Sequence, residues 1–269
     1  MKKASGLSLL FIALGCSALL SAPVSAAEIR VAVAANFTDV IKQLGEEFGK
    51  QSGHKVSVSS GATGKLYAQI KNGAPYDVFL AADEKTPTLL DEEGVSIADT
   101  RFTYALGSLV LWSADEALFD KGQFDKGQTD KAQSVLKKQA FSHISIANPK
   151  TAPYGRAAQQ TLEKLGFWDQ LQPKMVRGEN IGQAYQYVYS ENAQLGFVAK
   201  SQVFKDDAFT GGSYWEVPTE MYDPIVQQAV LLKDNAPARE LLDYLRSPEA
   251  AAVIQSYGYS ISPSDSVKP

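Results

Sequence analysis

Short apolar runs alternate with stretches whose apolar residues recur every three or four positions, the pattern of strands and amphipathic helices taking turns. EIRVAVAA, Glu28 to Ala35, reads as a buried strand, and Phe37, Val40, Ile41, Leu44 and Phe48 then mark one face of a helix that Gly53 closes. HKVSVSS predicts a second strand, Leu66, Tyr67 and Ile70 a short helix ending at Gly73, and DVFLAA, Asp77 to Ala82, a third strand. FTYALGSLVLWS is a long extended run of the kind that carries a chain between domains. Asp115 to Gln139 is polar and reads as surface loop plus helix. HISIAN, PKMVRGEN, LGFVA and DPIVQQAVLLK predict further strands. Helix faces lie at Ala158–Leu165 and Ile181–Val188, and two helices end the chain, the second with Ser247 as cap and Gly258 as stop.

Alternation of this kind predicts an α/β protein with largely parallel sheets. One unit recurs: a strand, a short loop of small or hydroxyl residues, and a helix start. Its loops are Ala34-Ala35-Asn36, Gly61-Ala62-Thr63-Gly64, Ala152-Pro153-Tyr154-Gly155 and Glu179-Asn180-Ile181. Two come early and two late, which predicts two domains facing each other across a cleft. In open α/β sheets, ligands sit beyond the carboxyl ends of the strands, where these loops are.

The N-terminus changes the picture from a fold to a location. Lys2 and Lys3, an apolar run from Leu7 to Leu20 and Val24-Ser25-Ala26 form a secretory leader, cut after Ala26 or Ala27. Cys16, the chain's single cysteine, leaves with it, so disulfide and thiolate chemistry are excluded from the mature protein. The leader takes two of the 26 basic residues and none of the 30 acidic ones, leaving a net charge of −6. That balance argues against nucleic acid or an anionic membrane as partner. No later run approaches the roughly 18 apolar residues of a membrane span. A soluble, exported protein is expected.

Reactive groups are sparse. SSGATGKL resembles a nucleotide P-loop, but Ser59 stands where the first glycine belongs and Leu66 where the magnesium hydroxyl belongs. An anion site of a more general kind survives, made by the amides at a helix start. His54 and His143 lack partners at zinc spacing, no G-x-S-x-G elbow occurs, and DEEG (Asp91 to Gly94) reads as a solvated polar face. Lys65 either neutralises an anion or points to solvent. Asn36 and Thr63 suit helix caps as well as ligand donors, and Tyr154 either packs or donates from its phenol.

AANFTDVIKQL, SSGATGKLYAQIKNGAPYDVFLAAD, NPKTAPYGRAAQQTLEKLG and LGFVAKSQV resemble the periplasmic molybdate-binding proteins of ABC transporters, in order and over nearly the whole mature chain. The resemblance implies a type II periplasmic binding-protein fold, with two α/β lobes joined by two crossovers and the ligand in the cleft between them. It implies 1–26 as leader, 27–105 and 220–269 as one lobe, and 106–219 as the other. It implies a monomer that binds molybdate or tungstate without metal cation or cofactor, has no catalytic residue, and delivers the anion to a membrane permease. Asn36, Thr63, Tyr154 and Ile181 fall at the family's donor positions, Ile181 through its main-chain N–H. Ala199 stands where some members place a ligand tyrosine. Sulfate or another tetrahedral oxyanion is the alternative ligand, and a secreted phosphoester hydrolase a more distant reading.

Overall fold

The computed structural model describes residues 26–119 and 126–261; the expected leader, including Cys16, lies outside the described residues except for Ala26. The chain begins β1 (Glu28–Ala34), α1 (Thr38–Ser52), β2 (Lys55–Gly61), α2 (Thr63–Lys71), β3 (Val78–Leu80), α3 (Lys85–Glu92) and β4 (Phe102–Gly107). Next come β5 (Leu109–Ser113), α4 (Lys126–Lys138), β6 (Ile144–Ala147), α5 (Pro153–Lys164) and α6 (Trp168–Leu171). They are followed by β7 (Met175–Gly178), α7 (Ile181–Tyr189) and β8 (Leu195–Ala199). A small hairpin, β9 (Phe204–Lys205) and β10 (Ala208–Phe209), precedes β11 (Ser213–Glu216). The chain closes with β12 (Ile225–Leu231), α8 (Ala236–Leu245) and α9 (Pro248–Ser256).

Two five-stranded sheets result, in the orders β2-β1-β3-β12-β4 and β11-β5-β8-β6-β7. The chain passes between them twice, through Ser108 and again between Glu216 and Ile225. These are the two α/β lobes and two crossovers of the type II binding-protein fold. The sheets are mixed rather than largely parallel. Strands β1, β2 and β3 run parallel, as do β6, β7 and β8, but β12 is antiparallel to β3 and β4, and β5 to β8 and β11. The crossovers explain this. A strand followed by its own helix runs toward the cleft, whereas β5 and β12 arrive from the other lobe and run away from it.

Each lobe buries its own apolar faces. Ile29, Val31 and Val33 of β1 pack with Val40, Ile41, Leu44 and Phe48 of α1, the residues whose helical spacing is visible in the sequence. In the other lobe Leu109, Ile144 and Phe197 pack with Ala158 and Leu162. Each large aliphatic or aromatic side chain so buried contributes about 1.5–3 kcal/mol. Gly53 ends α1 at φ 76°, a left-handed cap that glycine adopts without strain. Ser247 Oγ accepts from Ala250 N and starts α9. Helix α3 lies partly across DEEG, read from sequence as a solvated face. It buries only Thr86, Pro87 and Leu90, too few for a visible period. Among the described residues no helix is long and apolar enough to cross a membrane.

Candidate functional site

The loops singled out by their small and hydroxyl residues meet at one place. A cavity between the sheets is lined by Ala34, Ala35, Asn36, Gly61, Ala62, Thr63, Ala152, Pro153, Tyr154, Asn180 and Ile181, with Ala82 after β3 completing the wall. Asn36, Thr63, Tyr154 and Ile181 are thus brought together. The small residues let backbone from both lobes approach closely: a Cβ on Gly64 of the first lobe would stand 3.2 Å from Thr151 O of the second. The core is continuous here, with Ala34, Ala62 and Ala82 in contact with the cluster of Tyr154 and Ile181. The cavity measures about 10 Å³, far below the roughly 300–1,000 Å³ of sites for organic ligands. That is room for about one water-sized sphere, so the closed cleft excludes an organic ligand.

The wall is rich in donors. Thr63 is the first residue of α2, Tyr154 stands in the first turn of α5, and Ile181 is the first residue of α7. Their N–H groups have no acceptor within their own helices, and each helix start adds roughly half a positive charge. Thr63 Oγ1 accepts from Ala82 N at 3.1 Å, which leaves its own proton free to donate. Neither Asn36 nor Thr63 caps a helix, because no side-chain cap forms at α1 or α2. Asn180 does cap α7, accepting from Gln183 N at 3.0 Å. Asn36 Nδ2 contacts Gln227 Oε1 at 2.7 Å and Tyr259 Oη at 2.9 Å. Among the described residues, Asn36 Oδ1 and Thr151 Oγ1 are the buried side-chain polar atoms without a partner. Both residues belong to cleft loops.

No lining residue carries a charge. The charges stand on the rim, in pairs that span the cleft in opposite senses. Lys65 of the first lobe pairs with Glu179 of the second, and Arg156 of the second pairs with Asp83 of the first at 2.7 Å. Lys65 therefore neither lines the cavity nor points freely into solvent. Gly64 N also donates across the cleft, to Thr151 O at 3.0 Å, and Ser201 Oγ donates to Asn36 O at 2.8 Å. The lobes are closed on each other. Beneath the cavity, burial pushes the phenols of Tyr104 and Tyr154 well above their ordinary range, and that of Tyr259 to about 12, so all three stay neutral.

Sequence reasoning missed the layer below the wall: Tyr104, Ser201, Gln227 and Tyr259. These residues stand far from the loops in the chain and carry no local motif; only the fold brings them there. Tyr154 reaches this layer too, its Oη 3.4 Å from Gln227 Nε2. Ala199 is fully buried at the end of β8 and does not line the cavity. A larger cavity, about 450 Å³, lies at the far side of the second lobe beside Leu118, Phe141 and Glu191, and shares no residue with the site.

Comparison with known proteins agrees with this geometry. The profile of the family described as bacterial extracellular solute-binding protein matches residues 29–260. The chain is 53% identical to the molybdate-binding protein ModA of Azotobacter vinelandii, over 95% of this chain and 98% of that one. It is 46% identical to the protein of the same name from Rhodobacter capsulatus, over 89% and 91%. The solved structure of the Azotobacter vinelandii periplasmic molybdate-binding protein superimposes with a TM-score of 0.80 at 43% identity, covering 87% of this chain and 99% of that one. With matches of this extent, and two lobes closed on one small neutral-walled cavity, the chain belongs to the bacterial extracellular solute-binding proteins.

Proposed function

We propose that this protein binds molybdate, and tungstate with it, in the periplasm and hands the anion to the permease of an ABC transporter. The observation that carries the reading is the cavity wall: helix starts from both lobes and the free Thr63 hydroxyl, with no charged side chain, converge on one small gap between the lobes. Relatives named for molybdate binding, at 53% and 46% identity, support the choice of anion. Asn36, Thr63, Tyr154 and Ile181 hold the anion, Tyr154 and Ile181 through main-chain N–H groups at helix starts and Thr63 through its hydroxyl.

Neutral donors suffice energetically. A hydrogen bond to a charged partner contributes about 1.5–3 kcal/mol. Five to seven gross on the order of 10–20 kcal/mol before ordering and desolvation, against about 8–12 kcal/mol for micromolar to nanomolar binding. Donors alone also select. Monohydrogen phosphate carries a proton that needs an acceptor, whereas molybdate, tungstate and sulfate carry none near neutral pH. The preference for the larger pair over sulfate is supported by the relatives named for molybdate binding. The protein acts as a monomer without cofactor, residues 27–105 and 220–269 forming one lobe and 106–219 the other. Closure over the anion forms the surface that the permease reads.

Calorimetric titration of the chain from Ala27 onward with molybdate, tungstate, sulfate and phosphate tests this. Tight binding of the first two, weaker binding of sulfate and none of phosphate is expected; phosphate binding as tightly as molybdate would overturn it. Small-angle scattering is expected to show a more compact particle with saturating molybdate than without.

A further inference from the structure

Asn36 presents the site with a contradiction. Its Nδ2 is spent on Gln227 Oε1 and Tyr259 Oη, and the atom left unpartnered is the acceptor Oδ1. An acceptor in the wall repels an oxyanion. The two ends of an amide have the same shape, however, so its partners decide which end goes where.

Those partners admit a second pattern. Tyr104 has one proton and faces two acceptors, Ala81 O at 3.0 Å and Gln227 Oε1 at 3.1 Å. Turning the Gln227 amide over removes the conflict, because Nε2 then donates to Tyr104 Oη, which donates to Ala81 O. At 2.7 Å a turned Gln227 sets N–H against N–H unless Asn36 turns as well. Asn36 Oδ1 then accepts from Gln227 Nε2 and from Tyr259 Oη, and Tyr154 Oη donates to Gln227 Oε1 across the 3.4 Å contact. Asn36 O keeps its donor, Ser201 Oγ. Nδ2 takes the place of the unpartnered Oδ1. Tyr259 Oη, its one proton now given to Oδ1, no longer donates to Ser201 Oγ or to Asn36 O, each 2.9 Å away. This pattern gives up one contact in the layer while the wall gains a donor, and an anion is what favours it.

We propose that Gln227 is the positioning residue of the anion site: its amide and that of Asn36 turn as a coupled pair, and the bound anion selects the pattern with Asn36 Nδ2 toward it. This rests on the molybdate reading and deepens it. The placement of Gln227 suits the role. It is fully buried on β12 where the chain returns to the first lobe, and the register shifts between Gln227 and Gln228, a bulge of the kind that re-aims a side chain. A Cβ on Gly107, at the other crossover, would stand 2.2 Å from Tyr154 Oη and 2.9 Å from Gln227 Nε2, so glycine there leaves room for this pair. Because Tyr154 belongs to the second lobe, the donor pattern forms fully only when the lobes are closed.

A double-mutant cycle with molybdate as the calorimetric probe tests the pairing. Gln227→Met leaves Asn36 unguided and is expected to weaken binding about 3–10-fold. Gln227→Glu, an acceptor only, holds Nδ2 away from the anion and is expected to cost at least about 100-fold. Asn36→Ser presents a hydroxyl that donates whatever stands at 227. In that background the Met loss should fall below about twofold, and the Glu loss should shrink at least about tenfold to the residue left by its charge. Equal losses in both backgrounds, or unchanged affinity in Gln227→Met, overturn the proposal, since a packing role moves the melting temperature without coupling to residue 36. If Gln227→Glu does not fold, the Met arm decides alone. Failure of the unchanged protein to bind molybdate overturns the functional reading and this inference with it; binding with an additive cycle overturns this inference only.

Discussion

The floor and the rim of the cleft both join the two lobes, yet they do so with opposite chemistry. The floor is neutral and buried: Asn36, Gln227, Tyr154, Tyr259 and Tyr104 exchange hydrogen bonds with almost no access to water. The rim is charged and wet, Lys65 and Glu179 each keeping about half of their side-chain surface exposed. In a low-dielectric floor a misplaced charge is costly and a well-aimed dipole strong. At the rim, solvent screens each pair to about 0–1 kcal/mol. On the molybdate reading, the floor decides which anion binds, and the rim only tunes how readily the lobes meet.

The strongest way to break this contrast is to place a charge in the floor. Asn36→Asp keeps the shape and puts a carboxylate beside the dianion. At an effective dielectric of 20 two charges 4 Å apart interact by about 4 kcal/mol, or about three orders of magnitude in affinity. Calorimetry is expected to show at least about a 1,000-fold loss of molybdate affinity at pH 7, with the folded circular dichroism spectrum retained. A loss below tenfold would place the anion elsewhere. Thr63→Ala is the milder version. It removes one charge-assisted hydrogen bond, about 1.5–3 kcal/mol, so affinity should fall about 10–150-fold. An unchanged constant would take Thr63 out of the wall.

What the sequence made legible follows the same division. The wall was readable because it is local: each donor sits at the start of a helix, announced by small residues after a valine-rich strand, as at Ala34-Ala35-Asn36 and Gly61-Ala62-Thr63. The floor was not, because Asn36 meets Gln227 across 191 positions and Tyr259 across 223. Nothing in the vicinity of Gln227 distinguishes it from Gln228, whose amide carbonyl instead accepts from Arg101. The rim misled for a related reason. Lys65 follows Gly64 as a phosphate-binding lysine would, but its partner Glu179 lies in the other lobe. Likewise β11 escaped notice, since Ser213–Glu216 acquires its buried alternation only by pairing with β5.

At the rim the expected effects are small. Lys65→Met or Glu179→Gln should weaken molybdate binding no more than about fivefold, consistent with an exposed pair of about 0–1 kcal/mol. The difference from the unchanged protein should shrink further between 0.05 and 0.5 M salt, as screening removes what the pair contributes (roughly a 4 Å Debye length at the upper figure). A loss comparable to that of Thr63→Ala, or one insensitive to salt, would mean that the rim belongs to the recognition site.

The smallest expected effect is none at all. With Tyr154 the one ionisable side chain in the wall, and its phenol and that of Tyr259 raised by burial, nothing lining the cavity titrates between about pH 6 and 9. Molybdate affinity should stay flat across that window, and a twofold drift or more would reveal a charged group at the anion. Stability behaves differently at higher pH. Tyr259 has an ordinary pKa of 10.0 when unfolded and about 12 when folded. Its contribution is complete below pH 10 and is lost as pH rises through 10 to 12, because only the unfolded chain can release the proton there. Urea unfolding at pH 8, 9 and 11 is expected to show the midpoint falling mainly in the last step, and Tyr259→Phe should remove Tyr259's share of that fall. The neutral floor thus confines the molecule's alkaline weakness to a range in which the anion site itself has nothing to lose.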